Sequence, residues 1–125
     1  MDPSNKTLKI ILVDDDKDYL FLFSSKLAKA GYEVKISHNG INLDKMISNE
    51  HPDMILLDLH MDNVNGEDIC KALKSKRETS DIPVMILSSN NDIKNVATDC
   101  GADAYFEKPL EIVDLEKILE QFKAA

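Results

Sequence analysis

Proline and glycine are scarce in this sequence, with four residues of each. Disordered chains are rich in these residues and poor in apolar ones, whereas 43% of this chain is hydrophobic. The chain is therefore expected to fold, and its 125 residues suit one domain with a single core. We predict one domain over residues 1–125, with a core of about residues 7–123.

Cysteine is also rare, and no apolar run approaches the length that spans a membrane. The two cysteines, Cys70 and Cys100, fall at apolar positions of helical patterns, which favours reduced core residues over a disulfide. The first residues, MDPSNKTLK, contain no apolar signal core. These absences predict a cytoplasmic protein with no membrane partner.

Basic residues are outnumbered by acidic ones, 15 against 23, which gives a net charge of −8 at pH 7. Nucleic acids and anionic membrane surfaces attract proteins of the opposite charge. The balance therefore argues against direct binding to either of them.

Short apolar runs alternate with helical patterns along the chain. Five runs predict strands, at residues 8–13, 32–37, 53–57, 82–87 and 104–106. Apolar residues at helical spacing follow each run, the fourth set at residues 93–100 and the last at 115–122. Five such units predict an α/β fold, a doubly wound parallel sheet with helices on both faces. The second run alternates apolar and polar residues like an edge strand, so we expect the flavodoxin-like strand order 2-1-3-4-5.

Reactive side chains collect where the predicted strands end. Asp14 and Asp15 follow the first strand, Asp58 the third, Ser88 the fourth and Lys108 the fifth. They should converge, because the carboxyl ends of parallel strands share one edge of the sheet. Three close carboxylates favour a hard divalent cation such as Mg²⁺. The lysine and the hydroxyl would complete a site for a phosphoryl group, toward which Asp58 is a candidate nucleophile.

Four segments in this order carry a family resemblance: ILVDDD, MILLDLHMDNVNG, IPVMILSSN and GADAYFEKPL. With them the chain closely resembles, over almost its whole length, the receiver domain of two-component response regulators. The resemblance implies a phosphorylation-dependent signalling switch in a phosphorelay, served by a histidine kinase or histidine phosphotransferase. It implies a protein that catalyses its own Mg²⁺-dependent phosphorylation and dephosphorylation and is not a turnover enzyme. An output protein would bind the face of the fourth helix, fifth strand and fifth helix, and a phosphorylation-dependent dimer is a further expectation.

The resemblance also implies roles for individual residues. Asp58 would be the phosphoacceptor. Asp15, Asp58 and the backbone carbonyl of His60 would bind Mg²⁺, with Mn²⁺ as an alternative ion, and Asp14 would help through water. Lys108 would pair with Asp58 and then with its phosphoryl oxygens.

The same resemblance assigns residues around the phosphoryl group. Ser88 would donate a hydrogen bond to it, Tyr105 would be the aromatic switch residue, and Gly66 and Pro109 would shape the loops. Three departures from the family pattern stand out. Asp62 replaces the usual proline, which adds a charge near the site, and Ser88 replaces the commoner threonine, which keeps the hydroxyl. Ser89 stands where a smaller alanine or glycine is usual.

Each of these residues also has an ordinary structural explanation. Asp14 and Asp15 could merely cap the following helix, although Asp16 is better placed for that role. Asp58 could simply begin a turn. Loop or surface positions would equally explain the remaining residues, namely Ser88, Lys108, Pro109, His60 and Tyr105.

Three other functions use acidic or phosphate-binding loops. A calcium loop of the EF-hand type would need glycine at Tyr19 and glutamate at Ser25. A flavodoxin would hold its phosphate in a Ser/Thr/Gly-rich loop, where aspartates would repel it. A haloacid-dehalogenase-type phosphatase shares the aspartyl nucleophile but needs a second acid where His60 stands. This phosphatase is the enzymatic alternative, and release of phosphate from small monoesters would favour it.

Overall fold

A computed structural model describes residues 7–61, 64–88, 99–108 and 110–123 of the chain. Its elements are, in order, β1 (Lys9–Val13), α1 (Lys17–Lys29), β2 (Glu33–Ser37), α2 (Leu43–Glu50), β3 (Met54–Asp58), β4 (His60–Met61), β5 (Val64–Asn65), α3 (Gly66–Ser75), β6 (Val84–Ser88), β7 (Ala104–Glu107) and α4 (Ile112–Lys123). Five strands form one parallel sheet in the order β2-β1-β3-β6-β7. This order confirms the predicted flavodoxin-like arrangement, with β4 and β5 as an additional antiparallel hairpin.

The central strands β1, β3 and β6 are buried because their side chains alternate between two layers of helices. Helices α2 and α3 cover one face, where the strand residues are Ile11, Val13, Ile55, Leu57, Val84 and Ile86. Helices α1 and α4 cover the other, where they are Ile10, Leu12, Met54, Leu56, Met85 and Leu87. With both faces covered, the carboxyl edge of the sheet is left for chemistry.

Helix α1 begins at the predicted cap. The Asp16 carboxylate accepts a hydrogen bond from the backbone N–H of Tyr19 at 3.1 Å, which satisfies a free donor of the first turn. Gly31 follows the helix with a φ of +101°, a conformation that glycine adopts without strain. The helix predicted at residues 93–100 lies largely outside the described residues. Of the helices that the structure does describe, none is long and apolar enough to cross a membrane.

Strands β3, β6 and β7 each end one residue later than the sequence predicts, and in β3 and β6 the added residue belongs to the predicted site. Asp58 is the last residue of β3 and Ser88 the last of β6, where the patterns placed both just beyond a strand. Each residue continues the ladder with a neighbouring strand, Asp58 opposite Leu87 and Ser88 opposite Glu107. Both side chains are therefore fixed by the sheet rather than carried by a loop.

The two cysteines are buried thiols, as predicted. The Cys70 thiol donates a hydrogen bond to the backbone carbonyl of Cys100 at 3.4 Å. Burial, and after it the neighbouring Cys100 side chain, raise the pKa of Cys70. The Cys70 sulfur therefore stays protonated and packs as a small apolar group.

Lys74 ties the amino edge of the sheet to helix α3. Its ammonium lies 2.6 Å from the Asp103 carboxylate and donates hydrogen bonds to the carbonyls of Ser80 at 3.1 Å and Ile82 at 2.9 Å. Asp103 in turn accepts a hydrogen bond from the backbone N–H of Val84 at 2.8 Å. One cation thus joins α3, the loop before β6 and the loop before β7.

The Lys74→Met variant is expected to lose about 2 kcal/mol of unfolding free energy, because it leaves Asp103 and two carbonyls without their cation. Urea unfolding measures the loss. Lys71→Met is the matched control on the same helix, since its 3.2 Å ion pair with Glu67 is exposed to solvent and should contribute much less to stability. Equal losses in the two variants would contradict the role given to Lys74.

Candidate functional site

The carboxylate of Asp14 is held at the end of strand β1. The backbone N–H of Asp14 donates a hydrogen bond to the Ser37 carbonyl at 3.0 Å, which extends the pairing of β1 with β2 by one residue. Its Oδ1 accepts a hydrogen bond from the backbone N–H of Asp16 at 2.9 Å. Asp14 is fully buried, whereas the next residue, Asp15, is half-buried. Between β1 and α1, the Asp14 side chain therefore lies inside the protein and the Asp15 side chain lies partly at its surface.

Asp58 and Ser88 stand at neighbouring strand ends. Asp58 is 4% exposed and Ser88 is fully buried. The backbone beyond both strands is held, since Leu59 N–H donates to the Leu87 carbonyl and Lys108 N–H to the Ser88 carbonyl, each at 3.0 Å. The sheet thus presents Asp58, Ser88 and Lys108 at the edge where ligands bind in such folds.

Three carboxylates meet at this edge. Asp14, Asp15 and Asp58 each offer an oxygen atom, and these oxygens lie within 4.8 Å of one another. Such crowding is unfavourable unless a cation offsets it. The donors are all oxygen and two of the three residues are buried, which fits a hard divalent cation that retains several waters.

Lys108 supplies one positive charge to the same cluster. Its ammonium lies 2.6 Å from Asp14 Oδ2 and 3.4 Å from Asp58 Oδ1, and its side chain is 21% exposed. The family resemblance implies a pair with Asp58, but the shorter contact is to Asp14. The reason is geometric, since Asp14 Oδ1 already binds the Asp16 backbone and its Oδ2 is turned to the lysine.

Tyr19 belongs to this site although sequence reasoning did not single it out. The Lys108 ammonium lies 4.5 Å from the centroid of its ring. Its hydroxyl oxygen is buried with no hydrogen-bond partner among the residues described. One signal could have found it: Tyr19 is in the first turn of α1, and helical side chains point back toward the helix N-terminus. Here that direction leads to Asp14 and Asp58.

The ionisation of Tyr19 reflects this environment. Burial, and after it the charges of Asp14 and Asp58, raise the pKa of Tyr19 to about 12, while a weaker polar interaction with the Leu110 backbone, outside hydrogen-bond geometry, lowers it. The ring beside Lys108 is therefore uncharged at neutral pH.

One tyrosine is expected to ionise only near pH 12, in a chain that has three tyrosines and no tryptophan. Because the unfolded chain releases this proton near pH 10, the stability linked to Tyr19 falls between pH 10 and 12. Tyrosinate absorbance measures the titration, with circular dichroism to verify that the fold persists. Tyr19→Phe should remove the late step, and a late step retained in that variant would contradict the assignment.

The chain after Asp58 makes a tight hairpin. His60, in β4, pairs with Asn65, in β5, and the Asn65 side chain accepts a hydrogen bond from the Glu67 N–H at 2.9 Å to begin α3. Gly66 packs against the end of β3, so a Cβ atom there would meet the Asp58 carbonyl oxygen and lie 2.7 Å from Leu59 Cα. Gly66, predicted as a loop residue, is instead the first residue of helix α3, and it adjoins the Asp58 backbone because the helix begins directly against the end of β3.

The sequence also predicts roles for Tyr105 and Pro109. Tyr105 lies in β7 opposite Ile86 and is 43% exposed. Pro109 lies outside the described residues, as do most residues of the helix that would complete the predicted output face. Within the described part of the chain, the side chains of Asp14, Asp15, Asp58 and Lys108 are brought together.

The sequence of this chain is similar to those of known proteins. A family model described as the response regulator receiver domain matches residues 10–120. The response regulator MprA of Mycobacterium ulcerans is 30% identical over 120 residues, which are 94% of this chain and 50% of that protein. The chain thus spans about half the length of the curated relatives that it matches.

Solved structures share the fold. A putative response regulator from Chloroflexus aurantiacus superposes with a TM-score of 0.86 at 25% identity, over 96% of this chain and 100% of that one. The BeF3-activated N-terminal receiver domain of RstA from Klebsiella pneumoniae gives 0.79 at 26% identity, over 90% and 96% of the two chains.

Proposed function

This chain belongs to the family of response regulator receiver domains, and from that membership we propose that its Asp58 accepts a phosphoryl group from a phosphohistidine. The family is one of signalling proteins, so the modification is a signal rather than a turnover. One observation carries the proposal: the buried Asp58 carboxylate faces the Lys108 ammonium beside two further acids.

In the proposed step an Asp58 carboxylate oxygen attacks the phosphorus in line. A bond forms between that oxygen and phosphorus, and the bond from phosphorus to the imidazole nitrogen breaks, with its electron pair leaving on the nitrogen. Lys108 balances the charge on the phosphoryl oxygens, and Ser88 donates a hydrogen bond to one of them. Asp58 is pre-positioned by its place in the sheet ladder, which reduces the entropy cost of reaching the reactive geometry.

Asp15, Asp58 and the backbone carbonyl of His60 are the proposed Mg²⁺ ligands, with Asp14 acting through water and Mn²⁺ as an alternative ion. When bound, the ion offsets the crowded negative charge and stabilises the charge of the transferring group. The all-oxygen donor set of Asp14, Asp15 and Asp58 supports this choice.

The remaining roles complete the switch. A histidine kinase or histidine phosphotransferase is the proposed donor, and an output protein would respond to a population shift that includes Tyr105. The half-exposed ring of Tyr105 supports a surface role. The single domain over residues 1–125, a phosphorylation-dependent dimer, the loop role of Pro109 and a cytoplasmic location stay predictions.

Acetyl phosphate with Mg²⁺ tests the proposal in the isolated chain. Intact-mass spectrometry should show the gain of one phosphoryl group, stable in acid and lost in base, and no gain when Mg²⁺ is chelated. A beryllofluoride adduct, like the one named for the RstA receiver domain, should mimic the product, since its fluorines stand in for phosphoryl oxygens. Catalytic release of phosphate from small monoesters would contradict the proposal and favour a phosphatase.

Asp15→Asn is expected to weaken Mg²⁺ binding by at least about 10-fold, since the loss of even an outer partner of a metal site costs that much. NMR titration with Mg²⁺ measures the affinity. Asp16→Asn is the matched control: it removes one adjacent charge but keeps a side-chain oxygen that can cap α1. Equal affinities in the two variants, or shifts far from Asp14 and Asp58, would contradict the metal assignment.

A further inference from the structure

We propose that Tyr19 is a positioning residue, whose ring face holds the Lys108 ammonium against the carboxylates during phosphoryl transfer. The inference rests on the proposed function, because it concerns the lysine that balances the transferred charge. It adds a residue of helix α1 to a site whose other members stand at strand ends.

The Lys108 ammonium makes contacts of two kinds. Two carboxylate oxygens lie near it, at 2.6 Å for Asp14 and 3.4 Å for Asp58. The Tyr19 ring centroid lies 4.5 Å from the same nitrogen, inside the roughly 6 Å range of a cation–π contact. Because the Lys108 side chain is only 21% exposed, the ring replaces water that the ammonium would otherwise bind.

The Tyr19 ring is itself held in place. It stacks on Phe23 with centroids 5.4 Å apart and an angle of 9° between the planes. Phe23 is buried in the core together with Leu20 and Leu27 of the same helix. The backbone N–H of Tyr19 is capped by Asp16 at 3.1 Å. A ring that is stacked on one face and anchored through its backbone is a rigid surface for a flexible lysine.

This support matters because a lysine is a point charge on a flexible stem. When a phosphoryl group reaches Asp58, the ammonium has to follow the new oxygens without swinging out to solvent. A ring face attracts the cation over its whole area, so the nitrogen can shift between Asp14 and Asp58 while the contact persists. The raised pKa of Tyr19, about 12, keeps the hydroxyl neutral and the attraction constant with pH in the neutral range.

The test compares two substitutions at position 19. Tyr19→Leu removes the ring, and we expect phosphorylation by acetyl phosphate at saturating Mg²⁺ to slow by roughly 5- to 30-fold. Tyr19→Phe keeps the ring and should restore the wild-type rate to within about 2-fold. Tyr32→Leu is the control, because Tyr32 packs against the same core cluster from the residues after α1 and should change the rate by less than about 2-fold.

A second readout reports the contact without phosphorylation. Protons next to the Lys108 nitrogen should resonate upfield in wild type and Tyr19→Phe, because they lie over a ring, and should return to ordinary lysine positions in Tyr19→Leu. The signal is assigned by its loss in Lys108→Met. The wild-type shift needs no variant at position 19, so the contact is testable even where Tyr19→Leu does not fold.

The outcomes separate the two proposals. An ordinary wild-type shift for Lys108, or a rate unchanged in Tyr19→Leu, would overturn the role of Tyr19. A rate that falls equally in Tyr19→Phe would also overturn it, since the hydroxyl rather than the ring would then act. A wild-type protein that takes up no phosphoryl group while Lys108 is shifted upfield would overturn the proposed function instead.

Discussion

The Asp58→Asn variant is expected to take up no phosphoryl group from acetyl phosphate, a complete loss on the time scale on which wild type is labelled. An amide nitrogen or oxygen does not replace a carboxylate as nucleophile toward phosphorus. The substitution also removes one of the three acids that hold the cation. Both effects act on the same step, so no residual labelling at this position is expected.

The fold of Asp58→Asn should survive the change. Lys108 keeps its shorter contact, 2.6 Å to Asp14, and one repelling charge leaves a crowded cluster. We expect the unfolding free energy to stay within about 1 kcal/mol of wild type. Urea unfolding therefore distinguishes loss of the nucleophile from loss of the structure.

Asp53→Asn is the matched control for this experiment. Asp53 precedes strand β3 at its opposite end and accepts a hydrogen bond from the backbone N–H of Lys9 at 2.8 Å, which an asparagine oxygen can also accept. Its labelling should equal that of wild type. Labelling of Asp58→Asn to the wild-type extent would show that another residue receives the phosphoryl group, and peptide mapping would identify it.

Gly66→Ala is expected to have the second large effect. The new methyl group would meet the Asp58 carbonyl oxygen and lie 2.7 Å from Leu59 Cα. Both are backbone atoms at the end of β3, so relief requires that the strand end or helix α3 move. We expect a loss of about 3 kcal/mol of unfolding free energy and slower phosphorylation, because Asp58 shares the displaced peptide.

Gly31→Ala separates this steric effect from the general cost of replacing a glycine. A Cβ at Gly31 meets no heavy atom within 4 Å, but the residue has a φ of +101°. The variant should lose about 1–2 kcal/mol from backbone strain alone and keep its rate of phosphorylation. If Gly66→Ala retained both its unfolding free energy and its rate of phosphorylation, the close contact between Gly66 and the end of β3 would matter for neither.

The order of the strands and the place of the site followed from the sequence. The buried runs that became β1, β3 and β6 are apolar at consecutive positions, and only a sheet covered on both faces accommodates such strands. Once the sheet is parallel, Asp14, Asp15, Asp58, Ser88 and Lys108 must share one edge, whatever the details of the loops. The periodicity of apolar residues, a local property of the sequence, was sufficient to predict the strand order and the edge of the sheet that carries the site.

Only the tertiary structure decided which of these groups contact each other. Lys108 and Asp14 are 94 positions apart in the chain. A local sequence pattern therefore does not predict that the ammonium lies closer to Asp14 than to Asp58. The Tyr19 ring lies at the site because its helical side chain points there and stacks on Phe23. Whether a larger residue can replace Gly66 depends on the packing of α3 against β3. Sequence periodicity determines which face of an element a residue occupies, whereas distances of a few ångströms between elements depend on how the whole core packs.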